Sequence, residues 1–170
     1  MTTKVKVCLL GAFAAGKTSL VRRRVHDSFS SIYQTTIGAN IETLELPERE
    51  LKLVIWDIHG DDRFQTVRAD YVRGAGGCIF VVDASRPETL DVAIEIEHRL
   101  EVSLSDTKRV WAVTKSDLVG RAEAAELEGS LRQRLGDEAS VRWTSSKTGD
   151  GVNGAFSRLA ELIQGGASHV

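Results

Sequence analysis

Two cysteines, two prolines, one methionine and ten aromatic residues among 170 leave several classes of protein without support. Two thiols cannot build the disulfide framework of a small secreted domain. Cys8 and Cys78 both sit inside apolar runs, VKVCLLG and GGCIFVV, and read as buried thiols, with a bridge between neighbouring strands the remaining alternative. Prolines occur only at Pro47 and Pro87, so no proline-rich linker divides the chain, and no repeat or low-complexity tract does so either. A net charge of −2 lacks the basic excess that attracts nucleic acid or acidic membranes. No apolar run is longer than a strand, which excludes a membrane-spanning helix. The N-terminal MTTKVKVCLLG is too short in apolar residues for a secretory signal, and GGASHV at the other end lacks the cysteine that prenylation needs. The expectation is one cytoplasmic domain over residues 1–170, reaching membranes only through a partner and carrying no direct lipid anchor.

What is present alternates short β runs with helical periods. Strands are expected at 4–11, 39–46, 50–57, 76–84, 109–115 and 140–146, and helices at 16–26, from 87 to about 104, at 121–135 and at 152–164. Only PER separates ANIETLEL from ELKLVIWD, which makes that pair an antiparallel hairpin. The rest reads as a doubly wound α/β fold on a mostly parallel sheet, whose ligands bind beyond the carboxyl ends of the strands.

Residues 11–18, GAFAAGKT, stand between the first strand and the first helix and satisfy G-x-x-x-x-G-K-[ST]. Phe13, Ala14, Ala15, Gly16, Lys17, Thr18 and Ser19 thereby become nucleotide-binding candidates. Backbone N–H groups wrap a polyphosphate, and the helix N-terminus adds positive character. Lys17 would bridge the terminal phosphates and the Thr18 hydroxyl would ligate Mg²⁺. Asp57 ends the hydrophobic strand LVIWD, where a carboxylate is costly unless a cation lies opposite, so it joins Thr18 as a metal candidate. Gly60 offers a bare N–H to a terminal phosphate.

These segments, with WDIHGDDRFQTVRADYVRGAGGCIFVVDAS and YQTTIGANI, resemble the Ras superfamily of small GTPases, and most closely its Rab-like branch. The resemblance covers about 4–164, and the missing lipidation cysteine brings it nearer to prokaryotic Rab-like proteins or Roc-type domains. It implies a P-loop NTPase fold with a six-stranded, mostly parallel sheet, one antiparallel strand and about five flanking helices. It also implies that Thr36 is the switch I threonine on Mg²⁺ and the terminal phosphate, that Phe29 packs against the base, and that Tyr33 covers the phosphates. Switch II would run from Gly60 to about Arg73, and both switches would order around the third phosphate. TKSD at 114–117 is similar to the family's NKxD: Asp117 would accept from the N1–H and amine of guanine, and Lys115 would lie along base and sugar. SSK at 145–147 is similar to the family's SAK, which puts Ser145, Ser146 and Lys147 at the base.

The departures bear on rate. Thr114 replaces the family's asparagine with a hydroxyl that makes fewer hydrogen bonds, and weaker nucleotide retention is expected. Asp61 stands where the family orients water with glutamine, and His59 replaces the small residue before Gly60. The catalytic set implied is Lys17, Thr36, Gly60 and Asp61. The Phe13 ring would obstruct an arginine finger, a contribution of roughly 10³–10⁵ in rate elsewhere. Arg63, Arg68 and Arg73 read as surface ion-pair partners, and Arg22-Arg23-Arg24 as a solvated helix face. The expected function is a GTP/GDP switch with Mg²⁺ and slow hydrolysis, acting on an effector and governed by exchange or activating proteins. The rival is a nucleotide-binding module that scarcely hydrolyses. A small-molecule kinase on the same loop finds no lid and no role for TKSD.

Overall fold

A computed structural model describes residues 1–32, 38–58 and 67–165. Six strands form one sheet: β1 (Thr3–Gly11), β2 (Ala39–Leu46), β3 (Leu51–Ile58), β4 (Gly77–Asp83), β5 (Lys108–Thr114) and β6 (Val141–Trp143). Their order is β2-β3-β1-β4-β5-β6, with β2 antiparallel to β3 and every other pair parallel. Five helices accompany them: α1 (Lys17–His26), α2 (Ala69–Val72), α3 (Thr89–Arg99), α4 (Arg121–Leu135) and α5 (Val152–Gly165). This is the doubly wound P-loop arrangement.

The continuous apolar runs follow from burial on both faces of the sheet. Along β1, Val7 and Leu9 join the core beneath α1 and α5, while Cys8 and Leu10 join the core beneath α3 and α4. On β4, Ile79 and Val81 face the first core and Cys78, Phe80 and Val82 the second. Phe80 stacks on Trp111 of β5 with centroids 4.7 Å apart. The outer strand β2 keeps its alternation because it buries one face only: Leu44 and Leu46 are covered and Ile41 is exposed. Its turn to β3 is a 3₁₀ turn at Pro47–Arg49, closed by Glu50 in the left-handed region (φ 50°).

Two expected elements differ, and one helix was not anticipated. The second long helix, α3, stops at Arg99 instead of about 104; 100–106 form turns that still bury Leu100 and Leu104. Ser103, Ser105 and Asp106 are weak helix formers and disfavour continued helix there. The last strand spans three residues instead of 140–146, because Ser145 and Ser146 leave the sheet edge, Ser145 giving its N–H to the Asp150 carbonyl. Finally, α2 forms a single turn within the expected switch II. Among the described residues no helix is long and apolar enough to cross a membrane.

Candidate functional site

The loop between β1 and α1 is fixed through its carbonyls. Lys17 Nζ donates to the carbonyls of Gly11 and Ala12 (3.0 and 2.8 Å). Arg86 Nη2 donates to Phe13 (2.8 Å), Lys115 Nζ to Ala14 (3.0 Å) and Thr114 Oγ1 to Ala15 (2.5 Å). Five consecutive carbonyls thus meet side-chain donors from three parts of the chain. Across a planar trans peptide the N–H points opposite to the C=O, so each tether also aims the N–H of the following residue. Ala14 (φ 56°) and Gly16 (φ 100°) are left-handed, giving the change of backbone hand that shapes an anion-binding nest. Gly11 is required by space: a Cβ there would stand 2.5 Å from the Val81 carbonyl oxygen. Ser19 lies half-buried in the first turn of α1.

Lys17 is 7% exposed, and burial pushes its ammonium down to about 8. Asp57 offsets part of this and the charge of Arg86 adds to it. A cation held below its ordinary value is one that an incoming polyanion would strengthen.

At the same mouth Thr18 Oγ1 donates to Asp57 Oδ2 at 2.5 Å. Asp57 is 2% exposed, and its second oxygen, Oδ1, is buried without a hydrogen-bond partner. Burial raises the Asp57 carboxyl above its usual value, against the lowering effects of the Thr18 bond and of Lys17. An orphaned buried carboxylate oxygen beside a hydroxyl fits a small, hard divalent cation. No cluster of three His, Cys, Asp or Glu residues able to hold a metal occurs among the described residues. Mg²⁺ takes one or two protein oxygens and completes its shell with phosphates and water.

The base-loop candidates gather at the ends of β5 and β6. Thr114 Oγ1 lies 2.5 Å from the Ala15 carbonyl and 3.2 Å from that of Val82, yet its single proton serves one of them at a time. Lys115 is left-handed (φ 59°) and opens the 3₁₀ turn Ser116–Leu118. Asp117, exposed, accepts from Ser145 Oγ at 2.6 Å. Ser145 Oγ in turn accepts from the Thr148 N–H at 3.2 Å. Ser146 is buried and Lys147 exposed, and both of their carbonyls are held by Arg23 of α1, at 2.6 and 2.7 Å. The reading of 22–24 as a plain solvated face is therefore wrong for Arg23, whose side chain is 19% exposed.

Asp83 and Arg86 also escaped the sequence reading. Asp83, fully buried at the end of β4, receives Lys115 Nζ (2.6 Å), Arg86 Nε (3.0 Å) and Ser85 Oγ (2.6 Å). Burial acts to raise its carboxyl, but the bonds from Lys115, Ser85 and Arg86 prevail and hold it below its usual value. The available signal was a carboxylate closing an apolar run, GGCIFVVD, the same signal that marked Asp57.

Phe29 is 40% exposed beyond α1. Tyr33, Thr36, His59, Gly60, Asp61 and Arg63 lie outside the described residues. Arg68 and Arg73 both pair with Asp70, as surface ion pairs. Tyr71 of α2 meets Trp56 edge-on at 6.4 Å, and Lys6 lies over the Trp56 ring while donating to the Arg73 carbonyl.

The Ras family model matches residues 6–165. The chain belongs to the Ras family. It is 33% identical to the Ras-related protein SEC4 of Saccharomyces cerevisiae over 163 residues, 94% of this chain and 75% of that one. It is 32% identical to the Ras-related protein Rab-13 of Rattus norvegicus, covering 93% of this chain and 79% of the relative. The human Ras-related protein Rab-8B gives 32% over 93% and 77%. These relatives make it a Rab-like small GTPase, and members of this family bind guanine nucleotide and Mg²⁺.

Proposed function

We propose that this small GTPase is a guanine-nucleotide switch that holds GTP or GDP with Mg²⁺, hydrolyses GTP slowly, and signals through switch I and switch II to an effector protein. The observation that carries this reading is the meeting of Thr18 and Asp57 at the mouth of the phosphate loop, with Asp57 Oδ1 left buried and unpartnered. Thr18, Asp57 and Thr36 would hold the cation; when bound, Mg²⁺ supplies neutralisation of phosphate charge. Phe13 to Ser19 would cradle the phosphates, with Lys17 on the terminal ones and Gly60 offering its N–H. Asp117 would read guanine, held in register by Ser145, with Phe29, Tyr33, Thr114, Lys115, Ser146 and Lys147 completing the pocket. Adenine presents no paired donors to that carboxylate, which is the source of selectivity.

Slow hydrolysis is inferred from Asp61, which cannot donate as an amide does, and from Phe13, whose ring would bar an arginine finger. These two residues also favour the second reading, a binding module with negligible hydrolysis. Exchange and activating proteins would act through the switches.

The test follows bound nucleotide and phosphate release over hours with GTP and Mg²⁺, using ATP as control. Slow conversion to bound GDP with ATP ignored supports the switch. Retained GTP without phosphate release selects the second reading, and equal use of ATP overturns both.

A further inference from the structure

Arg86 belongs to none of the nucleotide-binding motifs, yet it reaches the centre of the phosphate loop. Its Nη2 donates to the Phe13 carbonyl at 2.8 Å while Nε rests on Asp83 Oδ2 at 3.0 Å. The same Asp83 oxygen receives Lys115 Nζ at 2.6 Å, and Lys115 holds the next carbonyl of the loop, that of Ala14. One fully buried carboxylate therefore anchors two cations that grip consecutive peptides. The Phe13–Ala14 peptide is the one most in need of a grip. Ala14 is left-handed at φ 56° without being glycine, a conformation that the chain abandons when nothing holds it. With the Phe13 carbonyl pulled toward Arg86, the Ala14 N–H is turned the opposite way, as a trans peptide requires.

The neighbouring tether is weak by composition. Thr114 has one proton for two carbonyls, Ala15 and Val82, where an amide would bring two donors. From this geometry we infer that Arg86, anchored by Asp83, is a positioning residue that sets the lifetime of bound nucleotide, and that it makes good the donor missing at Thr114. The inference rests on the guanine-nucleotide reading of the site. Arg86 acts through the loop backbone and not on the terminal phosphate, so GDP and GTP are retained by it alike.

The experiment measures release of a fluorescent GDP and of a fluorescent non-hydrolysable GTP analogue, with Mg²⁺ and excess unlabelled nucleotide. Arg86→Ala should speed release of both by about tenfold, and Arg86→Lys, which keeps the ion pair but loses the fork, should fall between. Thr114→Asn should slow release in the parent protein and slow it by a larger factor in the Arg86→Ala background, recovering most of that loss, a non-additive pair. Unchanged release in Arg86→Ala, an effect on the GTP analogue alone, or no recovery by Thr114→Asn overturns the proposal. If the parent protein retains neither guanine nucleotide, the reading of the site itself fails, a result distinct from those three.

Discussion

Thr18 and Asp57 are 39 residues apart in sequence, and their side-chain oxygens are 2.5 Å apart across the mouth of the phosphate loop. β1 and β3 lie side by side in register, Leu9 opposite Asp57, so α1 begins where β3 ends. Mg²⁺ should slow GDP release by tenfold or more, and Thr18→Ala should lose most of that effect. Asp57→Asn should remove it as well. In EDTA, however, Asp57→Asn should melt above the parent protein, since burial disfavours the carboxylate and Oδ1 has no partner. Thermal melts with and without Mg²⁺ check this: the order should reverse when the cation is added.

Asp83 supports a prediction about acid. Its carboxyl is held below its ordinary value by Lys115, Ser85 and Arg86 despite burial. A carboxylate whose folded pKa is depressed contributes fully above its unfolded value, near 4, and loses that contribution as pH falls through the lower folded value. Asp83→Asn should cost about 1–3 kcal/mol near neutrality. That is less than a wholly buried pair would, because Arg86 and Lys115 are about a third exposed. Denaturant titrations should find the difference constant from about pH 5 to 8 and shrinking below about pH 4.

Arg23 ties the last loop to the first helix. Two charge-assisted bonds, to the carbonyls of Ser146 and Lys147, are removed in Arg23→Ala, worth together about 1–2 kcal/mol after solvent takes their place. Nucleotide dissociation should quicken roughly 5- to 30-fold. Discrimination against adenine should narrow less, because Asp117 and Ser145 keep their own contact. A variant that releases GDP at the parent rate would remove Arg23 from the site.

The parts of the fold legible in advance share a cause. A strand buried on both faces leaves an unbroken apolar run, as 77–83 does, and a phosphate loop announces itself by glycines at fixed spacing. What escaped are donors to backbone carbonyls. Arg86, Lys115 and Arg23 act on acceptors that every residue possesses, so no side-chain pattern at Phe13, Ala14 or Ser146 marks the bond. Lys115, expected along base and sugar, also holds Ala14 and Asp83 through its Nζ, contacts that the TKSD pattern does not mark. The shortened β6 has the same origin: Ser145 gives its N–H to the Asp150 carbonyl and its own carbonyl to the Gly149 N–H. Those bonds fasten the base loop, and no count of apolar residues anticipates them.

The two thiols give the last prediction. Cys8 and Cys78 are direct partners in the β1–β4 ladder, and both are free and wholly buried. Neighbouring strands stand about 4.7–4.9 Å apart, inside the roughly 4.4–6.8 Å between Cα atoms that a disulfide accepts, yet the two thiols are free. Cys8 Sγ points its weak donor at the Tyr71 carbonyl, 3.5 Å away, and lies within hydrogen-bond reach of the Cys78 thiol. The native protein should therefore show no reaction with a soluble aromatic disulfide reagent, and two thiols should appear once it is unfolded in denaturant. The rate of their appearance without denaturant then reports opening of the central sheet, and bound nucleotide should slow it if the phosphate loop is held closed by its ligand. Fewer than two thiols in the unfolded chain would mean that an oxidant reaches this adjacent pair in the folded protein, contrary to the burial of both.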